Sequence, residues 1–182
     1  MTSSGLYDNI TLSGGAGSGK SLLFGNLRSC LEPQGWHFLQ AGEMMRDKTN
    51  ERLNPAADLL PVSHHQSVEE NTRDILTTKT HFVIDAWLAG FVARDLPKTL
   101  RVLVYMSDED ERARRVAKRD GITPDEAMRL IRDREERNIQ FWRSIYGDYD
   151  FWDRKYYQLT IDSTYLNPQK CLQRVLDTMG LK

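Results

Sequence analysis

Eight consecutive residues carry the clearest chemistry in this chain. Gly14-Gly15-Ala16-Gly17-Ser18-Gly19-Lys20-Ser21 fits the spacing G-x-x-x-x-G-K-[ST] at every fixed position. Glycines let a backbone curl until successive N–H groups point inward, which makes a concave anion site. The positive end of a helix starting at Lys20 adds to the attraction. Lys20 is placed to reach the β- and γ-phosphates of ATP, Ser21 offers a hydroxyl to Mg²⁺, and Leu22 completes the set of expected nucleotide-binding residues. A glycine-rich turn matches this pattern by chance on the order of 1% of the time in a chain of this length, so a triphosphate site is the expectation. Asp85 closes an apolar run, where its carboxylate would serve Mg²⁺ or orient the group that accepts the phosphoryl.

A second concentration of chemistry is arginine. Between Glu111 and Arg143 there are nine: Arg112, Arg114, Arg115, Arg119, Arg129, Arg132, Arg134, Arg137 and Arg143. Opposite charges recur at i,i+4 (Glu111 with Arg115, Asp125 with Arg129, Asp133 with Arg137), so a self-paired, solvated helix accounts for any one of them. As a group they suit phosphoryl transfer, which spreads negative charge over oxygens that several guanidinium groups neutralise. A mobile segment bearing them would also exclude water that otherwise consumes ATP.

Such residues need elements to hold them. Short apolar runs at 9–12, 36–39, 81–84, 101–105 and 157–161 alternate with helical patterns at about 20–31, 63–76, 108–119, 124–146 and 168–179. That alternation is the rhythm of a parallel sheet covered by helices on both faces, an α/β fold. Thr123, Pro124 and Glu126 form a capping box with proline in the first turn. Residues 54–63, with two prolines, read as a loop.

The 182 residues suit one domain, with 40% apolar and 28% charged residues. A formal charge of −1 gives no global pull toward a nucleic-acid polymer. Residues 1–9 lack the apolar core of a signal peptide, and no run approaches the ~18 apolar residues that span a bilayer. A cytoplasmic monomer without membrane contact is expected. Cys30 and Cys171 match no zinc or redox spacing, and Cys171 sits in an apolar helical stripe as a small buried hydrophobe.

Taken together these segments resemble the nucleoside monophosphate kinases, and among them the compact form of cytidylate kinase. Ala41-Gly42-Glu43 through Arg46 is similar to that family's acceptor-side segment, and Asp85-Ala86-Trp87-Leu88-Ala89-Gly90 to its acidic-Gly-Arg-Leu-Ala-Gly segment. Glu111-Arg112-Ala113-Arg114-Arg115 resembles the entry to the lid, and Arg132-Asp133-Arg134-Glu135-Glu136-Arg137 the lid itself. Tyr146-Gly147 and Asp162-Ser163-Thr164 are similar to elements after the lid helix and near the nucleotide base. The resemblance implies a P-loop kinase fold: a five-stranded parallel sheet in a single domain over 1–182, an acceptor-binding region at about 41–78 and a lid at about 119–145. It implies ATP as donor, Mg²⁺ as cofactor, and a nucleoside monophosphate such as CMP or dCMP as acceptor. It places Lys20, Arg115, Arg134 and Asp85 at the moving phosphoryl group, and Arg46, Trp87 and Arg137 on the acceptor side.

Three positions depart from that pattern. Trp87 stands where the family has an arginine, and Asn138 and Phe141 replace an aspartate and a second arginine. Losing two such arginines without replacement weakens monophosphate binding by roughly a hundredfold or more. Arg73, Arg94 and Arg143 are the candidates to substitute for them. Trp87 either stacks on a flat acceptor or fills core volume, and the row Phe141, Trp142, Tyr146, Tyr149 and Trp152 is read as core packing. His64-His65 receives no metal-ligand role, and Glu69 or Glu70 either reads the ring donors of the acceptor or, as the favoured reading, belongs to a solvated face. Two alternatives therefore stay open: a kinase of a non-nucleotide small molecule, and an ATP-binding regulator without turnover.

Overall fold

The computed structural model describes residues 6–40 and 57–181. The acceptor-side segment from Ala41 through Arg46 and the first part of the expected 54–63 loop lie outside the described residues.

Five strands form one parallel sheet in the order β2-β3-β1-β4-β5. β1 (Asn9–Ser13) is central and buried at every position. It is flanked by β3 (Phe82–Asp85) and β4 (Thr99–Tyr105), with β2 (His37–Gln40) and β5 (Leu159–Asp162) outermost. The order reverses at β1, so the crevice at its carboxyl end is where a ligand belongs. The expected 157–161 run enters the sheet two residues late and β4 begins two residues early, at Thr99.

Ile10, Leu12, Val83, Leu100, Val102, Val104 and Ile161 pack under Leu27 and Leu31 of α1 (Lys20–Leu31) and Val175 of α6 (Pro168–Met179). On the other side Ile84 meets Ile75 and Leu76 of α2 (Val62–Thr78) and Ala89 of the short helix α3 (Ala89–Val92). Cys171 belongs to the first of these cores, as expected, and both cysteines are free.

One buried polar residue clips these layers together. Asn9, 1% exposed, donates through Nδ2 to the carbonyls of Leu76 (3.2 Å) and Lys79 (2.9 Å). Its Oδ1 accepts from the N–H of Phe82 at 2.9 Å. The side chain thus satisfies the otherwise orphaned end of α2 and the entry to β3.

Two helices stand beyond the sheet's carboxyl edge. α4 (Glu109–Asp120) starts where the Asp108 carboxylate accepts from the Glu111 N–H (2.8 Å) and stops at Gly121, whose φ of 71° favours glycine. α5 (Pro124–Tyr146) starts as its capping box requires, with the Thr123 hydroxyl accepting from the Glu126 N–H at 3.2 Å. Ala113, Val116 and Ala117 of α4 pack on Ala127 and Ile131 of α5, so the two helices form one unit. Of the expected i,i+4 pairs, Glu111–Arg115 forms at 2.8 Å, whereas Arg137 reaches Asp58 instead.

Candidate active site

The loop between β1 and α1 takes the shape its glycines permit. Gly17 has φ 72°, and a Cβ there would stand 2.7 Å from Val116 of α4. Gly19 has φ 87° and is the N-cap of α1. The first N–H groups of α1 lack partners within the helix and face the crevice as donors for an anion. The loop is held from behind, because the Ser163 hydroxyl at the end of β5 donates to the Ser18 carbonyl at 2.8 Å.

Lys20 forms a buried ion pair with Asp85. Sheet register explains how, since Asp85 lies beside Leu12 of β1 and Gln40 of β2. Gln40 donates to the second oxygen of the same carboxylate at 2.8 Å, leaving Asp85 1% exposed and engaged on both oxygens. Gln40 was not legible as a site residue, although it is the last residue of its strand.

The helix pair leans on the loop. Arg112 donates to the Ala16 carbonyl at 2.6 Å and pairs with Glu135, whose carboxylate lies where a Cβ on Gly15 would be. Glu135 therefore turns toward the loop while its neighbour Arg134 turns into the crevice. Arg134 sits with its guanidinium 5.1 Å from the Trp87 ring centroid, and its Nε is buried without a hydrogen-bond partner among the described residues. Burial, followed by the positive charge of nearby Arg119, pushes the Arg134 pKa below the ordinary arginine value. Arg134 forms no ion pair among the described residues, and a desolvated cation is costly, so this position favours an incoming anion. Arg115 is held by Glu111 and by the Ser163 carbonyl (3.4 Å).

Lys20, Gln40, Asp85, Trp87, Arg115 and Arg134 line one cavity of about 470 Å³. Its near end is the loop from Gly15 to Leu22. Its middle carries Asp85, Arg115, Arg119 and Arg134. Its far wall is Trp87 with His65, Glu69, Thr72, Asn138 and Trp142. A second cavity of about 540 Å³ opens beside it, where Gly19, Leu22 and Arg115 meet Thr164, Tyr165 and Pro168.

The structure thus brings together Lys20, Ser21, Leu22, Asp85, Trp87, Arg115 and Arg134, with Gly15 to Gly19. Gly14 lies beneath the loop, buried against the Val104 carbonyl. Arg137 is not in this group, since it binds Asp58 through Nε (3.1 Å) and a terminal nitrogen (2.7 Å). The three expected substitute arginines are also absent from the cavity wall. Arg73 is fixed by the Val92 carbonyl and Asp95, Arg94 by the Phe91 carbonyl, and Arg143 by Asp148 and the Tyr149 carbonyl.

The far wall corrects the solvated reading of Glu69 and brings in His65. His65 is buried against Phe141 and lines the cavity, and Glu69 lines it as well, while only Glu70 is solvated. Positions 65, 69 and 72 share one face of α2, so their spacing was visible although their destination was not. Trp87 packs with Trp142 and Trp152, as the core-filling reading expects, and it also faces the cavity. Most of the aromatic row packs around Phe91, as expected for core.

A parallel sheet of this order, with a glycine loop after its central strand and an arginine-bearing helix pair against that loop, defines a P-loop kinase. The chain belongs to the cytidylate kinase-like family, whose model matches residues 38–165. It is 31% identical over 176 residues to the cytidylate kinase of Ignicoccus hospitalis, an alignment covering 91% of this chain and 95% of that one. Among solved structures it is similar to an uncharacterized protein from Eubacterium ventriosum (TM-score 0.73, 16% identity, 96% of this chain and 99% of that one). It is also similar to a gluconokinase from Sinorhizobium meliloti (TM-score 0.60, 16% identity, 96% and 93%), a likeness of fold.

Proposed function

We propose that this kinase transfers the γ-phosphoryl group of ATP to cytidine monophosphate. The observation that carries the reading is the single cavity that joins the phosphate loop to the Trp87 wall, with Arg115, Arg119 and Arg134 between them. Membership of the cytidylate kinase-like family supports the acceptor.

In this reading the adenosine of ATP lies in the second cavity, between Leu22, Arg115 and Tyr165, and its phosphates follow the loop amides. Lys20 leaves Asp85 for the β- and γ-phosphates. Mg²⁺ fits the hard oxygen donors present, the Ser21 hydroxyl and the Asp85 carboxylate, and when bound would offset phosphate charge. An oxygen of the acceptor's phosphate bonds to the γ-phosphorus as the bridging bond to ADP breaks. Arg134, desolvated and lacking a carboxylate partner among the described residues, neutralises charge that grows between the two nucleotides. α4 and α5 act as the lid, anchored on the loop by Arg112 and Glu135. Arg46 belongs to the acceptor side through the family's motif, and the region at about 41–78 contributes that side. No covalent enzyme intermediate is needed, because positioning and electrostatics supply the catalysis.

A coupled ADP-release assay across CMP, dCMP, UMP and AMP tests this. Turnover above the ATP-alone rate with CMP or dCMP is expected. No stimulation by any of the four would overturn it.

A further inference from the structure

Glu69 occupies an unusual place for a carboxylate. It stands on the cavity face of α2, one turn from His65 and three residues from Thr72, in the far wall that also holds Trp87 and Trp142. Its Oε1 accepts a hydrogen bond from the hydroxyl of Tyr146, at the last turn of α5. Oε2 has no donor among the described residues. Tyr146 is itself braced by Phe91 and Phe151, so the carboxylate is fixed from behind. The phosphate loop lies at the opposite end of the same cavity, as the base and phosphate ends of one acceptor require.

The edge of a pyrimidine base decides what such a group can hold. Cytosine presents an exocyclic amine, a donor that pairs with a carboxylate oxygen. Uracil presents a carbonyl oxygen there, which a carboxylate repels. Building on the acceptor reading above, we infer that Glu69, oriented by Tyr146, accepts from the exocyclic amine of the acceptor base and selects cytosine over uracil. Burial raises the Glu69 pKa, opposed by the Tyr146 hydrogen bond and the charge of Arg94. That desolvation strengthens whatever hydrogen bond the second oxygen makes. An amide in its place offers both a donor and an acceptor, so it loses the distinction.

The test is the ratio of kcat/KM for CMP to that for UMP in the wild type, Glu69→Gln and Tyr146→Phe, with the KM for ATP and thermal melting as controls. The wild type is expected to prefer CMP. Glu69→Gln should lower that ratio by about tenfold or more, through the acceptor KM rather than kcat, with the KM for ATP within a few fold of wild type. Tyr146→Phe keeps the carboxylate but loosens it, and should lower the ratio less. If Glu69→Gln fails to fold, an unchanged ratio in Tyr146→Phe overturns the inference. Wild-type preference for CMP with the same ratio in a folded Glu69→Gln overturns this inference alone. A wild type that phosphorylates neither pyrimidine overturns the acceptor reading and this inference with it.

Discussion

The Arg134 guanidinium lies over the face of Trp87, 5.1 Å from the ring centroid, at the middle of the active-site cavity. The tryptophan serves there as a neutral support for the guanidinium. A second guanidinium at position 87 would repel Arg134, whereas an indole face attracts it by about 1–2 kcal/mol in a desolvated setting.

This arrangement separates two mutational effects. Arg134→Ala removes the charge itself and is expected to lower kcat by about a hundredfold or more, with the KM for ATP changed only a few fold. Trp87→Leu leaves the guanidinium but frees it, and should raise the acceptor KM while kcat falls by less than about tenfold. Steady-state kinetics on both variants checks this; an intact kcat in Arg134→Ala contradicts it.

Lys20 and Asp85 make a second prediction. In Asp85→Asn the lysine stays buried without its counter-charge, which costs about 3 kcal/mol in the nucleotide-free protein. MgATP supplies new anions for Lys20 and should restore much of the lost melting temperature while turnover stays low. Differential scanning calorimetry with and without MgATP reads the difference. Equal melting of variant and wild type without nucleotide would contradict it.

Asn9 tests the fold apart from the chemistry. Asn9→Ala removes three hydrogen bonds and leaves buried backbone groups unpaired, an expected loss of about 3 kcal/mol. For a chain of this size that lowers Tm by roughly 10 °C. Turnover well below the new Tm should be unchanged, because no atom of Asn9 faces the cavity.

Acid stability follows from Arg73 and Asp95. The hydrogen bond from Arg73 lowers the Asp95 pKa from an ordinary 3.8 to about 2. A depressed carboxylate contributes stability above its unfolded pKa and loses it as pH falls through its folded value. The contribution is therefore complete near neutrality and disappears between about pH 4 and pH 2. Both partners are substantially exposed, so it amounts to at most about 1 kcal/mol. Urea midpoints should show Asp95→Asn destabilised at pH 7 and nearly equal to wild type at pH 2.

How much of this the sequence makes legible depends on local punctuation. Helices at 20–31, 124–146 and 168–179 were read with their observed ends, because Gly19, Thr123-Pro124, Gly147 and Gly180 mark them chemically. Strands carry no such caps, so their ends drifted by one or two residues, and polar Thr99 concealed the start of β4. The four-residue helix at Ala89–Val92 is too short to show a period and was missed. The phosphate loop was visible since its residues adjoin in sequence. Gln40, His65 and Thr72 were not, since they reach the cavity only through sheet register and the packing of α2. Arg73, Arg94 and Arg143 looked like spare phosphate ligands because spacing cannot reveal that backbone carbonyls and Asp95 or Asp148 already hold them.

The most direct measurement follows the phosphoryl group itself. Purified protein is incubated with CMP and MgATP labelled at the γ-phosphate, and the products are resolved by mass spectrometry. Labelled CDP in a one-to-one ratio with ADP is expected, and no CDP from Lys20→Ala. Unchanged CMP with the label found only in inorganic phosphate or remaining in ATP would contradict it.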